Sequence, residues 1–289
     1  MVYQHGPPGW NQPGRAMPLI EAPPTTRFRS NGTAQAVPFD RKPRYSPSME
    51  TPLTEDALLG GRVRLLQPRL GYRVAVDAVL LAAAVDADRQ SRILDLGAGV
   101  GAVGLCIARR IADCHVLGVE LQATLAALAE RNAALNGLSE RVRTIVHDLA
   151  EPLPAETADF DHVASNPPYL AAAVADPPPD PAKALATVES TAPLARWLAV
   201  ATRALKPAGT LTIIHRSDRL DEIAAHLERL GWGDLTVKPL TPARRVLVRA
   251  RRADTPVRHQ RPALVLHRPD GGYTDQAEAV LRHGEPLAF

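Results

Sequence analysis

The stretch that most limits what this chain can fold into is Arg92-Ile93-Leu94-Asp95-Leu96, which runs without a break into Gly97-Ala98-Gly99-Val100-Gly101. The short apolar run predicts a buried strand, and Leu105, Ala108 and Ile111 beyond the glycines keep helical spacing. Strand, glycine loop and helix in that order form a ligand cradle. The glycines let backbone approach a ligand closely, and the helix start offers N–H groups with no partner inside the helix. The alternation then repeats. His115 to Val119 predicts a strand ending in Glu120, Gln122 to Leu135 a helix closed by Asn136-Gly137, and Val142 to His147 a strand ending in Asp148. Phe160 to Ser165 is a fourth strand and Leu211 to Ile214, after a turn at Lys206 to Gly209, a fifth. Leu194, Trp197, Leu198 and Ala201 mark one further helix, and Leu220, Ile223, Leu227 and Leu230 another. Asp234 to Leu240 and Arg245 to Ala250 read as the last two strands, which makes a doubly wound α/β fold: a seven-stranded, mostly parallel sheet with helices on both faces.

Ahead of this core, Thr54 to Val76 alternates around Gly60-Gly61 and Pro68 and is expected to form a short hairpin with a Pro-containing turn. Asp77 is expected to N-cap the apolar helix that starts at Ala78. Residues 1–50 are rich in Pro, Gly, Ser and Thr with scattered Arg and no periodicity; they are expected to be a disordered basic extension, with Met49 as an alternative start. The expected division is that extension, a catalytic domain over 51–252, and a C-terminal extension over 253–289 packed on or trailing it, with an apolar run at Ala263 to Leu266 and a helix at Asp275 to Arg282. The Ala- and Pro-rich stretch from Ala171 to about Thr187 is expected to be a substrate-facing lid. A net charge of +3 permits a nucleic acid partner without requiring one. Cys106 and Cys114 stand alone, without a Cys/His cluster of zinc spacing, so neither a disulfide framework nor a metal is expected. No apolar run reaches the length of a membrane span and no signal-peptide core opens the chain, so a cytoplasmic protein without a membrane partner is expected; the sequence does not indicate an oligomeric state.

The fourth predicted strand delivers Asn166-Pro167-Pro168-Tyr169 at its carboxyl end, where open α/β sheets place their chemistry. Asn166 brings a carbonyl acceptor, Pro167 a backbone carbonyl without a donor, Pro168 a stiff turn and Tyr169 a flat face. Together they suit a clamp for a planar amino group; the plainer alternative is a turn that merely ends a strand. Glu120 lies about 20 residues past the glycine loop, where an acid accepts from ribose hydroxyls. Asp148 suits either an adenine amine or simple strand-end capping. Gly97-x-Gly99-x-x-Ala102 also satisfies a dinucleotide fingerprint, which keeps a nicotinamide enzyme in competition. Two features weigh against it: Asp95 stands where a carboxylate receives an ammonium, and hydride transfer has no use for an amine clamp. The combination describes a class I S-adenosylmethionine-dependent methyltransferase acting on a planar nitrogen. His147, His162 and Cys106 read as packing residues.

Thr54 to Leu59, Arg62 to Gln67 and Val76 to Ala82, with the two motifs above, are similar to the bacterial tRNA adenine-N(6) methyltransferases that modify the adenosine beside the anticodon of a valine tRNA. The resemblance runs from about Thr54 to Ala250. It implies a Rossmann-like class I fold, tRNA as partner, and methyl transfer at Asn166, Pro167, Pro168 and Tyr169. It further implies S-adenosylmethionine held by Asp95, Gly97, Ala98, Gly99, Gly101, Glu120, Leu121, Asp148 and Asn166, with Asp77 near the cofactor. A methyltransferase of a glutamine side-chain amide in a release factor is the alternative, since the clamp suits it equally; such proteins usually carry a helical domain where this chain has a hairpin. Arg62, Arg64, Arg69 and Arg73, and Arg244, Arg245, Arg249, Arg251 and Arg252, are candidates for an RNA-phosphate surface, or for an ordinary solvated face.

Overall fold

The structure, a computed structural model, describes residues 52–71, 73–171, 188–189 and 192–289. The expectations for residues 1–50 and for most of the 171–187 stretch lie outside them. A hairpin of β1 (Leu53–Leu58) and β2 (Val63–Pro68) opens the described chain and is followed by α1 (Val76–Ala84). Then come β3 (Arg92–Leu96), α2 (Ala102–Arg110), β4 (His115–Glu120), α3 (Ala123–Leu135), β5 (Val142–Val146) and β6 (Phe160–Ser165). Two-residue strands β7 (Leu170–Ala171) and β8 (Val188–Glu189) pair with each other. The rest is α4 (Leu194–Ala204), β9 (Leu205–Arg216), α5 (Leu220–Arg229), β10 (Asp234–Thr241), β11 (Arg245–Arg251), β12 (Val257–Gln260), β13 (Leu264–Val265) and α6 (Asp275–Leu281).

The main sheet runs β12-β10-β11-β9-β6-β3-β4-β5, with β13 also on β10; β11 alone is antiparallel to its neighbours. The seven strands expected from the sequence are its core, and the tail adds two more at the β10 edge. Val257-Arg258-His259-Gln260 is exposed throughout and has no apolar face to mark it as a strand, and β13 is only two residues of the apolar run at Ala263 to Leu266. β3 is buried from Ile93 to Leu96, as a central parallel strand covered on both faces must be. One apolar cluster on one face of the sheet gathers α1, α2, part of α3, the hairpin and α6; the other gathers α4, α5 and the fully buried Trp232. The C-terminal segment is woven into the first, with Leu264, Leu266, Val280 and Leu287 buried and the Leu287 N–H donating to the Ala83 carbonyl at 2.8 Å.

Three local expectations are corrected. The hairpin turns at Gly60-Gly61, whose φ values of 64° and 92° suit glycine, so β2 ends at Pro68 and residues 73–75 are not a strand. Asp77 does not cap α1: the helix starts two residues earlier than expected, with Ala75 at the N-cap and no side-chain cap bond, which leaves the Asp77 carboxylate to pair with Arg245. The turn expected at Lys206 to Gly209 is absorbed as an irregularity in β9, where Phe160 pairs with Leu205 but His162 with Thr210.

Two asparagines tie the hairpin to the core. Asn132 and Asn136 sit one turn apart on α3 and offer β2 what a neighbouring strand would. Asn136 accepts from the Arg64 N–H at 2.9 Å and donates to the Arg64 carbonyl at 2.7 Å; Asn132 accepts from the Leu66 N–H at 2.8 Å and donates to the Leu66 carbonyl at 2.9 Å. The second amide proton of Asn132 goes to the Val100 carbonyl in the glycine loop at 2.9 Å. Asn132 is fully buried, so truncation strands three backbone groups. Asn132→Ala is therefore expected to lower stability by about 2–5 kcal/mol, at about 1–3 kcal/mol for each buried group left unsatisfied and incompletely additive, as read from urea unfolding.

Candidate active site

Register builds the site. Leu96 at the end of β3 lies opposite Val119 of β4 on one side and Ser165 of β6 on the other. The next residues, Gly97, Glu120 and Asn166, therefore stand side by side at the carboxyl edge of the sheet, at the point where the helices after β3 and β6 go to opposite faces. A cleft opens there. Its walls carry the loop from Gly97 to Val100, Glu120, Leu121, Asp148, Asn166 and Pro168. The two stretches that the sequence singled out thus face one cavity.

The glycine loop is pinned by the Gly97 and Ala98 N–H groups, which donate to the Val119 carbonyl at 2.9 and 3.0 Å. Gly97 has φ 76°, and a Cβ there would lie 2.6 Å from the Trp197 indole, so both conformation and crowding demand glycine. The indole N–H donates to the Ala192 carbonyl at 3.1 Å. Glu120 spends one lone pair of each oxygen on backbone: Oε2 accepts from the Gly99 N–H at 2.8 Å and Oε1 from the Gln122 N–H at 2.9 Å. Its other lone pairs remain for hydroxyls. Asp148 Oδ1 accepts from the Ala150 N–H at 2.9 Å, which realises the capping alternative while the residue still lines the cleft.

Asp95 is not in the cleft wall. It lies beneath the loop, 2% exposed, with Oδ2 lacking any hydrogen-bond partner. Burial pushes its carboxyl up to about 7; the Gly104 N–H opposes the shift and the neighbouring Glu120 adds to it. Burial likewise raises Glu120, against hydrogen bonds from Gln122, Gly99 and Leu121. Among the described residues neither carboxylate has a cationic side-chain partner. An orphaned buried carboxylate, a second one with free lone pairs and an open glycine loop fit a ligand that carries both an ammonium and ribose hydroxyls.

Of the acceptor residues, Asn166, Pro168 and Tyr169 are half-buried and Pro167 is buried. Tyr169 does not line the cleft; its ring lies under the Arg245 guanidinium, 5.1 Å from the ring centroid. Asp77 stands beside the cleft residue Ala78 but turns its carboxylate to Arg245. Sequence reasoning missed Val74, Gln122, Leu125 and Trp197 as cleft residues, and took His147 for packing although it lines the wall beside Asp148. Only the scarcity of aromatic residues, 4% of the chain, signalled Trp197. Cys106 is buried as expected and its thiol is pushed up to about 12. The second arginine group is not one surface. Arg244 and Arg245 stand at the carboxyl edge of the sheet, Arg251 roughly 20 Å away along β11 at about 3.3 Å per residue, and Arg249 between them is buried against the Ala84 carbonyl. In the first group Arg64 pairs with Glu55 and Arg73 with Asp56 inside the hairpin.

Residues 73–229 match the family model of the methyltransferase small domain. The chain is 31% identical over 214 residues, 72% of its length and 88% of the relative's, to a tRNA1(Val) (adenine(37)-N6)-methyltransferase of Aeromonas hydrophila. It is 37% identical over 168 residues, 56% of its length and 58% of the relative's, to a release factor glutamine methyltransferase of Deinococcus radiodurans. A crystal structure described as a predicted O-methyltransferase from Agrobacterium tumefaciens superposes with a TM-score of 0.58 at 27% identity, covering 74% of this chain and 98% of that one. No helix among the described residues is long and apolar enough to cross a membrane.

The Asp95 environment sets a pH dependence. With its folded-state value raised from 3.8 to about 7, the folded protein holds a proton that the unfolded chain has released across that interval, so this group's contribution to stability is lost as pH rises through about 7. The ligand-free protein is expected to lose stability between about pH 4 and 7 from this source, and Asp95→Asn to flatten that fall in thermal unfolding across the range.

Proposed function

This chain belongs to the methyltransferase small-domain family, and on that premise we propose that it transfers a methyl group from S-adenosylmethionine to the exocyclic amine of an adenine in tRNA. The observation that carries this reading is the single cleft shared by the glycine loop, Asn166 and Pro168. When bound, S-adenosylmethionine supplies a methyl group on a positively charged sulfur, an electrophile that needs no metal. Glu120 would hold its ribose hydroxyls, and Leu121 and Asp148 its adenine, with the backbone from Gly97 to Gly101 closing over it, while Asp95, buried beneath that loop and out of the cleft wall, would act on its ammonium through charge alone.

The acceptor residues have a different task. An adenine amine is a poor nucleophile because its lone pair is spread into the ring. If the Asn166 carboxamide oxygen and the Pro167 carbonyl accept its two N–H groups, the nitrogen moves toward tetrahedral geometry and the lone pair is localised. Neither oxygen is a base at neutral pH, so these residues act by position and electrostatics. Tyr169 offers a stacking face to a base drawn out of its helix, worth roughly 1–3 kcal/mol. A tRNA substrate would place the work in the cytoplasm.

A glutamine amide would satisfy the same clamp. Two observations favour the nucleobase: the match to the tRNA-modifying relative spans most of both chains, and among the described residues the segment before β3 is one hairpin and one helix rather than a helical domain. Incubation with tritiated S-adenosylmethionine and separated RNA and protein fractions tests the reading: label is expected in tRNA, and label in protein alone would overturn it. Asn166→Ala is expected to lower transfer by at least about 100-fold, the scale for loss of a positioned polar group, while cofactor affinity measured by calorimetry changes by less than about threefold.

A further inference from the structure

Tyr169 lies four residues past Ser165, the end of β6, and just ahead of the two-residue strand β7. What holds it comes from the other side of the site. Arg245 opens β11, opposite Arg216 in the ladder with β9, and lays its guanidinium over the Tyr169 ring at 5.1 Å. Its Nε donates to Asp77 Oδ2 at 3.1 Å. The two side chains are 25% and 18% exposed, so this ion pair is screened far less than a surface one. Asp77 in turn is fixed on the first turn of α1, whose next residue, Ala78, forms part of the cleft wall. The chain of contacts α1, Asp77, Arg245, Tyr169 joins the wall of the donor cleft to the acceptor ring.

We propose that Arg245, oriented by Asp77, is the positioning residue that sets the plane of Tyr169 for the incoming acceptor. The guanidinium occupies one face of the ring, so a planar acceptor group would stack on the other. A flat cation stacked on an aromatic ring resists tilting in a way a point charge does not, and the carboxylate behind it stops the guanidinium from sliding. Arg245 therefore acts through Tyr169 and not on the substrate's phosphates, which separates it from the neighbouring Arg216, whose guanidinium is engaged by Asp218.

The inference rests on the reading of Tyr169 as an acceptor platform, and a mutant cycle separates the two. The wild type is first assayed for methyl transfer to tRNA; absence of transfer there defeats the functional reading and leaves the cycle to be run on whichever fraction the protein does label. Steady-state constants and cofactor affinity are then measured for Arg245→Ala, Arg245→Lys, Asp77→Asn, Tyr169→Ala and the Tyr169→Ala/Arg245→Ala double variant. Arg245→Ala is expected to lower kcat by about 10- to 100-fold, the scale of a misplacement near 1 Å, with KM for the acceptor within about threefold and cofactor affinity within about twofold. Arg245→Lys should recover part of that loss. In the Tyr169→Ala background removal of Arg245 should cost less than about twofold, because the residues act as a unit. A raised KM at unchanged kcat, an undiminished loss in the Tyr169→Ala background, or cofactor affinity falling in step with activity would each overturn the proposal. Should Arg245→Ala fail to fold, the near-isosteric Asp77→Asn carries the same comparison: a kcat loss that vanishes in the Tyr169→Ala background supports the proposal, and one that persists sinks it.

Discussion

Burying Asp95 and Glu120 beside one another, with no cationic side chain among the described residues to balance either, is the constraint from which the rest of the site follows. A carboxylate taken out of water must be protonated, hydrogen-bonded or paired. Glu120 takes the second course through the Gly99 and Gln122 N–H groups, and Asp95 the first, its carboxyl raised to about 7 with one oxygen left unpartnered. The arrangement stores an unfavourable term that a cationic ligand relieves. It also fixes the glycine loop: the Gly99 N–H points at Glu120 while the Gly97 and Ala98 N–H groups are spent on Val119, so the backbone is held open before any ligand arrives.

Such a loop needs support from behind, and Asn132 supplies it. Its carboxamide satisfies both backbone groups of Leu66 and the carbonyl of Val100, which makes the hairpin a brace for the donor loop. The sequence announced a hairpin there but not its register, because alternation of side chains does not say which turn closes the strands, and Gly60-Gly61 and Pro68 both qualified. The strand, glycine loop, helix sequence and the Asn-Pro-Pro-Tyr run were legible for the opposite reason: each needs particular residue types at fixed spacing, and tertiary context has little freedom to override it. Trp197 was not legible as a site residue. On α4 it keeps the same spacing as a core residue, and only the fold reveals that its indole edge meets Gly97.

Asp77 shows the same limit from another side. An acid at a helix start reads locally as a cap, yet the cap lies two residues earlier and the carboxylate answers a guanidinium 168 residues away in the chain. Charge pairs of that range leave no periodic trace. The arginines show it too: a run that looks like one basic patch in sequence is strung along β11, so that Arg249 is buried between the buried Val248 and Ala250, Arg251 is exposed, and the ends of the run stand at opposite edges of the sheet. The C-terminal segment is likewise held by parts no local pattern betrays, an exposed strand added to β10 and a backbone bond from Leu287 to Ala83.

The two halves of the cleft are thus positioned by different physics. The donor half is backbone geometry: register at Leu96, glycine dihedrals and N–H groups aimed at fixed acceptors, all within a sheet that cannot shift without breaking parallel ladders. The acceptor half hangs from the end of β6, where Asn166 is still close to the sheet but Tyr169 is three residues further out. Precision that the sheet gives freely at Asn166 must be supplied to Tyr169 from elsewhere. A side chain from the one reversed strand is well placed to do so, because β11 runs antiparallel and therefore begins, rather than ends, at the carboxyl edge where the chemistry sits. The reversal of a single strand puts Arg245 beside the site, and the pairing with Asp77 lets the helix that walls the donor cleft determine where that guanidinium lies.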